Sequence, residues 1–257
     1  MIFLIGAAAK EEKRMQIEIW SDFVCPFCYI GKRRLEQALK QLPAQTKVEL
    51  VYRSFELDPH ADKHKQVDVV SMLSAKYGMS MEQAKANTDN LVKQAATVGL
   101  SFHFDQMKHT NTFDAHRLAH WAGKYDKMNE LAERLLKAYF TDGANLGDAE
   151  SLAALAGELG LDQKEAAAVL AGNDYTDQVR ADQARASQIG ITGVPFFVFN
   201  NKYAISGAQP EEVFLEALQK IAEEEKPLTI LNAPASVDAD DSYCADGSCN
   251  VPLKADK

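Results

Sequence analysis

Two cysteines near the beginning of the chain, Cys25 and Cys28, are separated by only two residues. Thiols at this spacing can close a small disulfide and open it again, so the pair can carry two electrons. The pair follows residues 16–20, which alternate apolar and polar, and precedes residues 29–42, whose apolar positions recur at helical spacing. A strand, a Cys-x-x-Cys and a helix in this order indicate redox chemistry.

The two thiols are predicted to have different roles. Cys25 is expected at the entrance of the helix, where unpaired backbone N–H groups and the positive helix end stabilise a thiolate. Cys28 lies one turn further along and is expected to be more buried. In a disulfide exchange, the Cys25 thiolate would attack a substrate disulfide, and Cys28 would resolve the mixed disulfide that forms.

A second pair of cysteines, Cys244 and Cys249, lies near the C-terminus with a turn-prone Asp-Gly-Ser between them. Three interpretations are open. The pair can be a second redox centre that relays electrons to or from the first, an incidental or structural pair, or half of a four-thiolate zinc site. The redox interpretation is favoured over zinc because a helix, rather than a zinc-knuckle turn, directly follows Cys28.

Two histidines also have a spacing that can bind a metal. His116 and His120 are four residues apart in a predicted helix, so they share one face. No carboxylate completes an HExxH arrangement, and ordinary core or surface histidines are therefore favoured. No metal is predicted in this protein.

Composition limits the classes of protein to which the chain can belong. With 257 residues, 46% of them hydrophobic, it is long enough for one large domain or for a small domain with a big insertion. A net charge of −9 without a basic stripe argues against a nucleic-acid partner. No apolar run approaches membrane-spanning length, so no membrane partner is expected.

The N-terminus does not match a secretory signal. Residues 1–9 contain a short apolar core with no basic residue before it, and a charged segment at 10–14 follows at once. We therefore expect no export, with Met15 able to serve as the functional start. Four cysteines in two close pairs are not a disulfide scaffold. Such pairs suit a reducing compartment, and a cytoplasmic protein is predicted.

The first half of the chain predicts strands and then helices. Residues 16–23 and 47–55 alternate as strands, which the βαβ rule makes parallel, with the helix 29–42 between them. A helical region follows at 66–190, and no strand pattern interrupts it. Its predicted helix starts are marked by Ser80 with Gln83, by Asn111, and by Asp162 with Glu165.

Strands return after the helical region. Residues 193–199 are strongly β-prone, Asn200-Asn201 suits a tight hairpin turn, and 202–206 would be the returning strand. A last helix is predicted at 211–224. The fold class is therefore α/β, with a β-α-β half and a β-β-α half separated by helices.

This order predicts three parts. Residues 15–65 and 190–225 form one α/β domain, and residues 66–189 form an inserted helical domain. Residues 226–257 form a C-terminal extension that carries the second cysteine pair.

Several motifs resemble a known family. The Cys-Pro-x-Cys and the later Gly-Val-Pro before a strand are similar to the thioredoxin superfamily in its DsbA-like branch. The segments Asn111-Thr112-x-x-Ala-His116-Arg117 and Gly190-Ile-x-Gly-Val194-Pro195-x-Phe197, with the late C-x4-C, resemble FrnE-type dithiol oxidoreductases. The resemblance runs from about residue 15 to 249. It implies a thioredoxin fold with an inserted helical lid and thiol–disulfide oxidoreductase activity, with disulfide isomerase activity as an option.

The resemblance also implies site residues and partners. It implies a cis Val194–Pro195 bond beside the dithiol, with the Val194 backbone available to a substrate strand. Asn111 and His116 would line the substrate groove together with Pro26 and Phe27. Partners would be proteins or small molecules bearing disulfides or thiols, and a cellular thiol reductant. No cofactor is expected beyond the redox-active disulfide itself, with glutathione as a candidate co-substrate.

Two other function classes are open. Glutathione-dependent 2-hydroxychromene-2-carboxylate isomerases and kappa-class transferases resemble this architecture, but they commonly have serine where Cys25 stands. A chaperone or binding module that uses only the helical lid is the third class. Two cysteines favour dithiol exchange. Phe27 offers a thiolate no cation or strong donor, so we expect a less oxidising pair than in DsbA-like relatives with histidine there.

Overall fold

The computed structural model describes residues 14–63 and 67–224, and the backbone of two short strands at 244–245 and 248–249. The elements, in chain order, are β1 Met15–Ser21, α1 Pro26–Leu39, β2 Val48–Ser54, β3 Val67–Asp68, α2 Val69–Tyr77, α3 Met81–Thr97, β4 Lys108–His109, α4 Phe113–Gly123, α5 Met128–Phe140, α6 Ala149–Glu158, α7 Gln163–Ala171, α8 Thr176–Gln188, β5 Phe196–Phe199, β6 Tyr203–Ser206, α9 Glu211–Glu224, β7 Cys244–Ala245 and β8 Ser248–Cys249.

The main sheet confirms the predicted α/β class. Its strand order is β2-β1-β5-β6, with β1 parallel to β2 and antiparallel to β5, and β5 antiparallel to β6. The parallel register runs from Met15 opposite Val48 to Ser21 opposite Ser54. Among the described residues between β2 and β5 there are seven helices. This is a thioredoxin fold with a helical insertion.

The dithiol helix begins earlier than predicted. The sequence places it at 29–42, whereas α1 runs from Pro26 to Leu39. Proline suits a first helical position because its fixed φ is helical and its missing N–H would have no partner there. Cys25 is the N-cap, with φ −91° and ψ 112°, and Cys28 therefore falls in the first turn.

The hairpin near the end of the fold is shorter than predicted. Its first strand begins at Phe196 rather than at residue 193. Pro195 has no N–H to donate to a ladder, so the chain joins the sheet only after it. The turn is as expected, because Asn200 and Asn201 have φ values of 49° and 54°.

The helical region contains one feature that the sequence interpretation missed. The capping box of Ser80 with Gln83 and the Asp162 cap are present as predicted. The expectation of a region without strands was wrong, since β3 and β4 form an antiparallel ladder. Each strand has two residues, too few for a period-two pattern to be recognised.

One continuous apolar core joins the sheet to the helical region. Its largest buried side chains come from β1, α1, α4, α5, β5 and α9: Ile17, Tyr29, Trp121, Phe140, Phe197 and Phe214. A smaller cluster around Trp20 and Val198 lies beneath α8 on the other face of the sheet. The division into an α/β domain and an inserted domain stays a prediction, and the two parts are packed together.

A charged cluster fixes α1 to α5. The Glu133 carboxylate accepts hydrogen bonds from the Tyr29 hydroxyl at 2.6 Å and from the Arg33 guanidinium, and it lies 2.5 Å from the Lys32 ammonium. Burial raises the pKa of Glu133, but its bonds from Arg33 and Lys32 outweigh burial and hold that pKa at about 2. The ionised carboxylate therefore stabilises the contact between the dithiol helix and the insertion.

Glu133→Gln should lower the free energy of unfolding by about 1–2 kcal/mol at neutral pH, because Arg33 and Lys32 lose a partly buried charged partner. The folded pKa of about 2 lies below the ordinary value. The contribution is therefore complete above about pH 4.3 and is lost as pH falls through the folded pKa. Urea unfolding of both proteins across this range measures the difference between them.

Glu130→Gln is the matched control on the same helix. Glu130 pairs with Lys127 on the surface, so its loss should change the free energy by less than about 0.5 kcal/mol. A Glu133→Gln protein as stable as the wild type at neutral pH would contradict the assignment.

Candidate active site

The Cys25 sulfur lies between the start of α1 and the loop before β5. As the N-cap residue of α1, Cys25 stands at the positive end of that helix. Its thiol donates a hydrogen bond to the Val194 carbonyl at 3.6 Å. The residue is only 4% exposed, but it lines an open groove. Both Cys25 and Cys28 are free thiols here.

Cys28 lies behind Cys25, away from the groove. Burial raises the pKa of its thiol well above the usual range, and the neighbouring Cys25 raises it further. Hydrogen bonds from the Ser21 hydroxyl and the Asp22 backbone N–H act in the opposite direction but do not cancel the rise. Cys28 is therefore held as a protonated thiol, while Cys25 faces the groove. The attacking and resolving roles of the two thiols stay predictions.

The groove beside Cys25 has a volume of about 790 Å³. Its apolar floor comes from α2, α3, α5 and the loop before β4: Val69, Met72, Leu73, Leu91, Phe104, Tyr139 and Phe140. Three side chains on its border are strongly exposed, Phe27 at 43%, Leu57 at 42% and Tyr77 at 63%. A large apolar surface next to a reactive thiol is suited to binding a substrate.

The Val194–Pro195 peptide bond is cis, as the resemblance implied. The Pro195 carbonyl accepts a hydrogen bond from the Gly207 N–H at 2.8 Å, which fixes this loop to the hairpin. Gly31 on α1 allows the loop to approach, since a Cβ there would lie 3.1 Å from Pro195 Cγ and 3.3 Å from Phe197 Cζ. Val194 and Pro195 are therefore held beside the dithiol by close packing.

Asn111 and His116 lie elsewhere than the resemblance implied. Neither lines the groove. Asn111 accepts a hydrogen bond from the Phe113 N–H at 3.0 Å, so it forms a turn at the start of α4. His116 is 2% exposed, with its ring against Phe23 and its Nε2 3.5 Å from a carboxylate oxygen of Asp22. The two histidines of α4 have separate partners, because His120 contacts Ser54 and Asp182 instead.

The second cysteine pair is described only by its backbone. Cys244 and Cys249 are opposite each other in the antiparallel ladder of β7 and β8. Their side chains, and the rest of the predicted extension, lie outside the described residues.

A metal-binding cluster and a membrane-spanning helix are both absent from the residues that the structure describes. Within them, no group of three or more His, Cys, Asp or Glu side chains is placed to hold a metal ion. In the same part of the chain, no helix is both long and apolar enough to cross a membrane.

The sequence interpretation missed Ser21 and Asp22. Ser21 is the last residue of β1, and Asp22 follows it. Both are buried, at 4% and 0% exposure, and both contact Cys28. Their position three and four residues before Cys25 was the available signal, because the loop that precedes a Cys-x-x-Cys must pass close to it.

Comparison with known proteins agrees with this architecture. Residues 16–219 match the DSBA-like thioredoxin domain. YwbO, an uncharacterized protein of Bacillus subtilis (strain 168), is 32% identical over 206 residues, which cover 79% of this chain and 96% of that protein. The crystal structure of a probable DsbA oxidoreductase from Streptomyces coelicolor has a TM-score of 0.79 and 46% identity, covering 93% of this chain and 100% of that one.

A 2-hydroxychromene-2-carboxylate isomerase structure shares the fold at 17% identity, with a TM-score of 0.59, covering 81% of this chain and 97% of that chain. The chain belongs to the DSBA-like thioredoxin domain family. As an enzyme, it is a thiol–disulfide oxidoreductase. The narrower FrnE-type assignment stays a prediction.

Limited iodoacetamide at neutral pH should modify Cys25 before Cys28 in the folded, reduced protein. The reason is that Cys25 lines the groove, whereas burial raises the pKa of Cys28 and keeps it as a thiol. Peptide mass mapping over time measures both rates. In denaturant, the two rates should become similar. Equal rates in the folded protein would contradict the different roles of the two thiols.

Proposed function

We propose that the protein exchanges disulfides through the Cys25–Cys28 dithiol with substrates that bind in the adjacent apolar groove. One observation carries this proposal: Cys25 opens onto the groove at a helix start, while Cys28 is buried one turn behind it. A nucleophile that lines a substrate groove and a resolving thiol behind it are the two components that exchange requires.

The reaction is a pair of thiol–disulfide exchanges. The Cys25 thiolate attacks one sulfur of a substrate disulfide, forming a mixed disulfide and releasing the other sulfur as a thiolate. Cys28 loses its proton and attacks Cys25, which closes the enzyme disulfide and releases the second substrate thiolate. The substrate gains two electrons and the dithiol loses two, and the oxidised enzyme runs the same steps in reverse.

The groove favours substrates with an apolar segment next to the sulfur. Phe27, Leu57 and Tyr77 present apolar surface around Cys25. Asn90 and Gln94 of α3 add amide groups that can bond to a peptide backbone. Protein disulfides and small peptide disulfides, including glutathione as co-substrate, both fit this description. A reducing, cytoplasmic compartment with a thiol reductant belongs to the proposal, as does isomerase activity.

The glutathione-dependent isomerase alternative has less support. The likeness to the 2-hydroxychromene-2-carboxylate isomerase is at 17% identity and concerns the fold alone. A thiol at position 25 with a second thiol at position 28 favours exchange over a single-site reaction.

The second cysteine pair is proposed as a redox pair that exchanges electrons with the first. Support comes from the backbone register, because Cys244 is opposite Cys249. Opposite residues of an antiparallel pair have Cα atoms about 4.5–5.5 Å apart, inside the range that a disulfide spans.

Insulin reduction and scrambled-ribonuclease refolding test the proposal with four proteins. Cys25→Ser should lose activity in both assays, since no attacking thiol remains. Cys28→Ser should accumulate a mixed disulfide that is visible by mass spectrometry. The double variant Cys244→Ser/Cys249→Ser should keep the rate of a single turnover but recycle more slowly.

The outcomes separate the function classes. A Cys25→Ser protein with wild-type activity would refute dithiol exchange. Saturable glutathione binding without either activity would favour the isomerase class. Aggregation suppression retained by Cys25→Ser, without turnover in the wild type, would favour a chaperone.

The reduction potential should lie below that of DsbA, about −120 mV. Phe27 provides no donor to a thiolate, and Lys32 and Arg33 are already paired with Glu36 and Glu133. Equilibration with glutathione buffers, followed by mass spectrometry of the alkylated protein, measures the potential. Phe27→His should raise it by adding a donor, and Phe27→Leu is the control. A wild-type potential as high as that of DsbA would refute this expectation.

A further inference from the structure

The resolving step requires an acceptor for the Cys28 proton. Burial holds Cys28 as a thiol, and a thiol must lose its proton before it attacks a disulfide. The groups that contact its sulfur are the Cys25 thiol, the Ser21 hydroxyl and the Asp22 backbone N–H. A hydroxyl can pass a proton on but does not retain it, so the acceptor lies beyond Ser21.

Asp22 and His116 form a buried pair next to this position. Asp22 is fully buried, and His116 is 2% exposed. Oδ1 of Asp22 and Nε2 of His116 are 3.5 Å apart, within ion-pair range, but neither atom has a hydrogen-bond partner among the described residues. The other oxygen of Asp22 accepts the Leu57 N–H at 2.7 Å, which fixes the carboxylate. Buried polar atoms without partners are costly and call for an explanation.

A small cavity lies between Ser21, which contacts Cys28, and His116. Its volume is about 10 Å³, and both Ser21 and His116 are in its wall. A cavity of this size can hold about one water molecule where polar groups reach it. Most of its wall is apolar, and the side chains of Ser21, Ser54, His116 and His120 supply its polar groups. A single water here would bond to the Ser21 hydroxyl and to His116, so a continuous path would run from the Cys28 sulfur to the imidazole.

We propose that His116, supported by Asp22, accepts the Cys28 proton through Ser21 and one water in this cavity. This proton path rests on the dithiol exchange proposed above. The S–H bond of Cys28 breaks, its proton moves to the Ser21 hydroxyl, and a proton of that hydroxyl moves through the water to His116. The Cys28 sulfur then bonds to Cys25 Sγ, and the mixed disulfide breaks. The bonding electron pair leaves with the substrate sulfur, and the imidazolium faces the Asp22 carboxylate.

Other ionisable groups lie near the pair. Tyr52, Arg53 and His120 line the same cavity, burial together with the charge of Asp22 raises the pKa of Tyr139, and Asp182 contacts His120.

His120 provides a matched comparison. It lies on the same helix and in the wall of the same cavity. Its Nε2 is already engaged, at 3.1 Å from the Ser54 hydroxyl and 3.0 Å from an Asp182 oxygen. It therefore joins β2, α4 and α8, and it has no assigned part in the proton path.

Stopped-flow reaction with the aromatic disulfide DTNB separates the two chemical steps. Attack by Cys25 releases the first coloured thiolate, and resolution by Cys28 releases the second. Cys28→Ser identifies the first phase, because its dithiol position can release only one equivalent of the coloured thiolate. All proteins also carry Cys244→Ser/Cys249→Ser, so that only the thiols at positions 25 and 28 react. His116→Gln should slow the second phase by about 10²-fold at neutral pH, the lower end of a positioned general base, and leave the first unchanged.

The dependence on pH distinguishes proton transfer from structural damage. Without His116, the Cys28 proton passes to solvent hydroxide, so the second phase of His116→Gln should rise about tenfold per pH unit, more steeply than in the wild type. Asp22→Asn should slow the same phase, and His120→Gln should leave it unchanged. Near-UV circular dichroism establishes that each variant is folded.

Three results would overturn the proton path. In the first, the second phase of His116→Gln proceeds at the wild-type rate. In the second, His116→Gln slows both phases equally and leaves the pH profile unchanged. In the third, His120→Gln slows the second phase as much as His116→Gln does. Failure of the dithiol exchange itself would look different, because no second equivalent would appear in the wild type.

Discussion

The start of α1 is the constraint on which the site depends. Pro26 begins the helix, so Cys25 takes an extended conformation at the N-cap and Cys28 falls within the first turn. Two cysteines that are three positions apart in the sequence therefore have different environments. The cap position opens onto the groove, and the first-turn position packs against the end of β1, where Ser21 and the Asp22 N–H contact its sulfur. The difference in chemistry between two identical side chains follows from this geometry.

The helical insertion contributes on both sides of the dithiol. Helices α2 and α3 form the wall of the groove in front of Cys25, and α4 brings His116 into the interior behind it. The cluster around Glu133 fixes α5 to α1, so the insertion and the dithiol helix are held in one geometry. The insertion therefore belongs to the candidate active site, because it supplies the groove wall that covers Cys25 and the histidine, His116, that faces Asp22.

Buried carboxylates in this protein have different partners. Glu18 on β1 pairs with Arg53 and Arg185, whose guanidinium groups stay charged at any ordinary pH. Asp22, four residues further along, faces the imidazole of His116 instead of a guanidinium. A permanent cation stabilises a fixed charge and suits a structural position. A histidine suits a position where a proton must arrive and leave.

The sequence by itself determined the features that depend on neighbours in the chain. The spacing of Cys25 and Cys28, the alternation in β1 and β2, the Ser80 cap and the Asn200–Asn201 turn are local, so propensity and periodicity reveal them. Tertiary structure alone decided the groove, the short ladder of β3 and β4, and the positions of Asn111 and His116. Asp22 and His116 are 94 positions apart in the sequence, and Arg33 and Glu133 are 100 positions apart. Such contacts arise from packing between distant segments, and no local pattern encodes them.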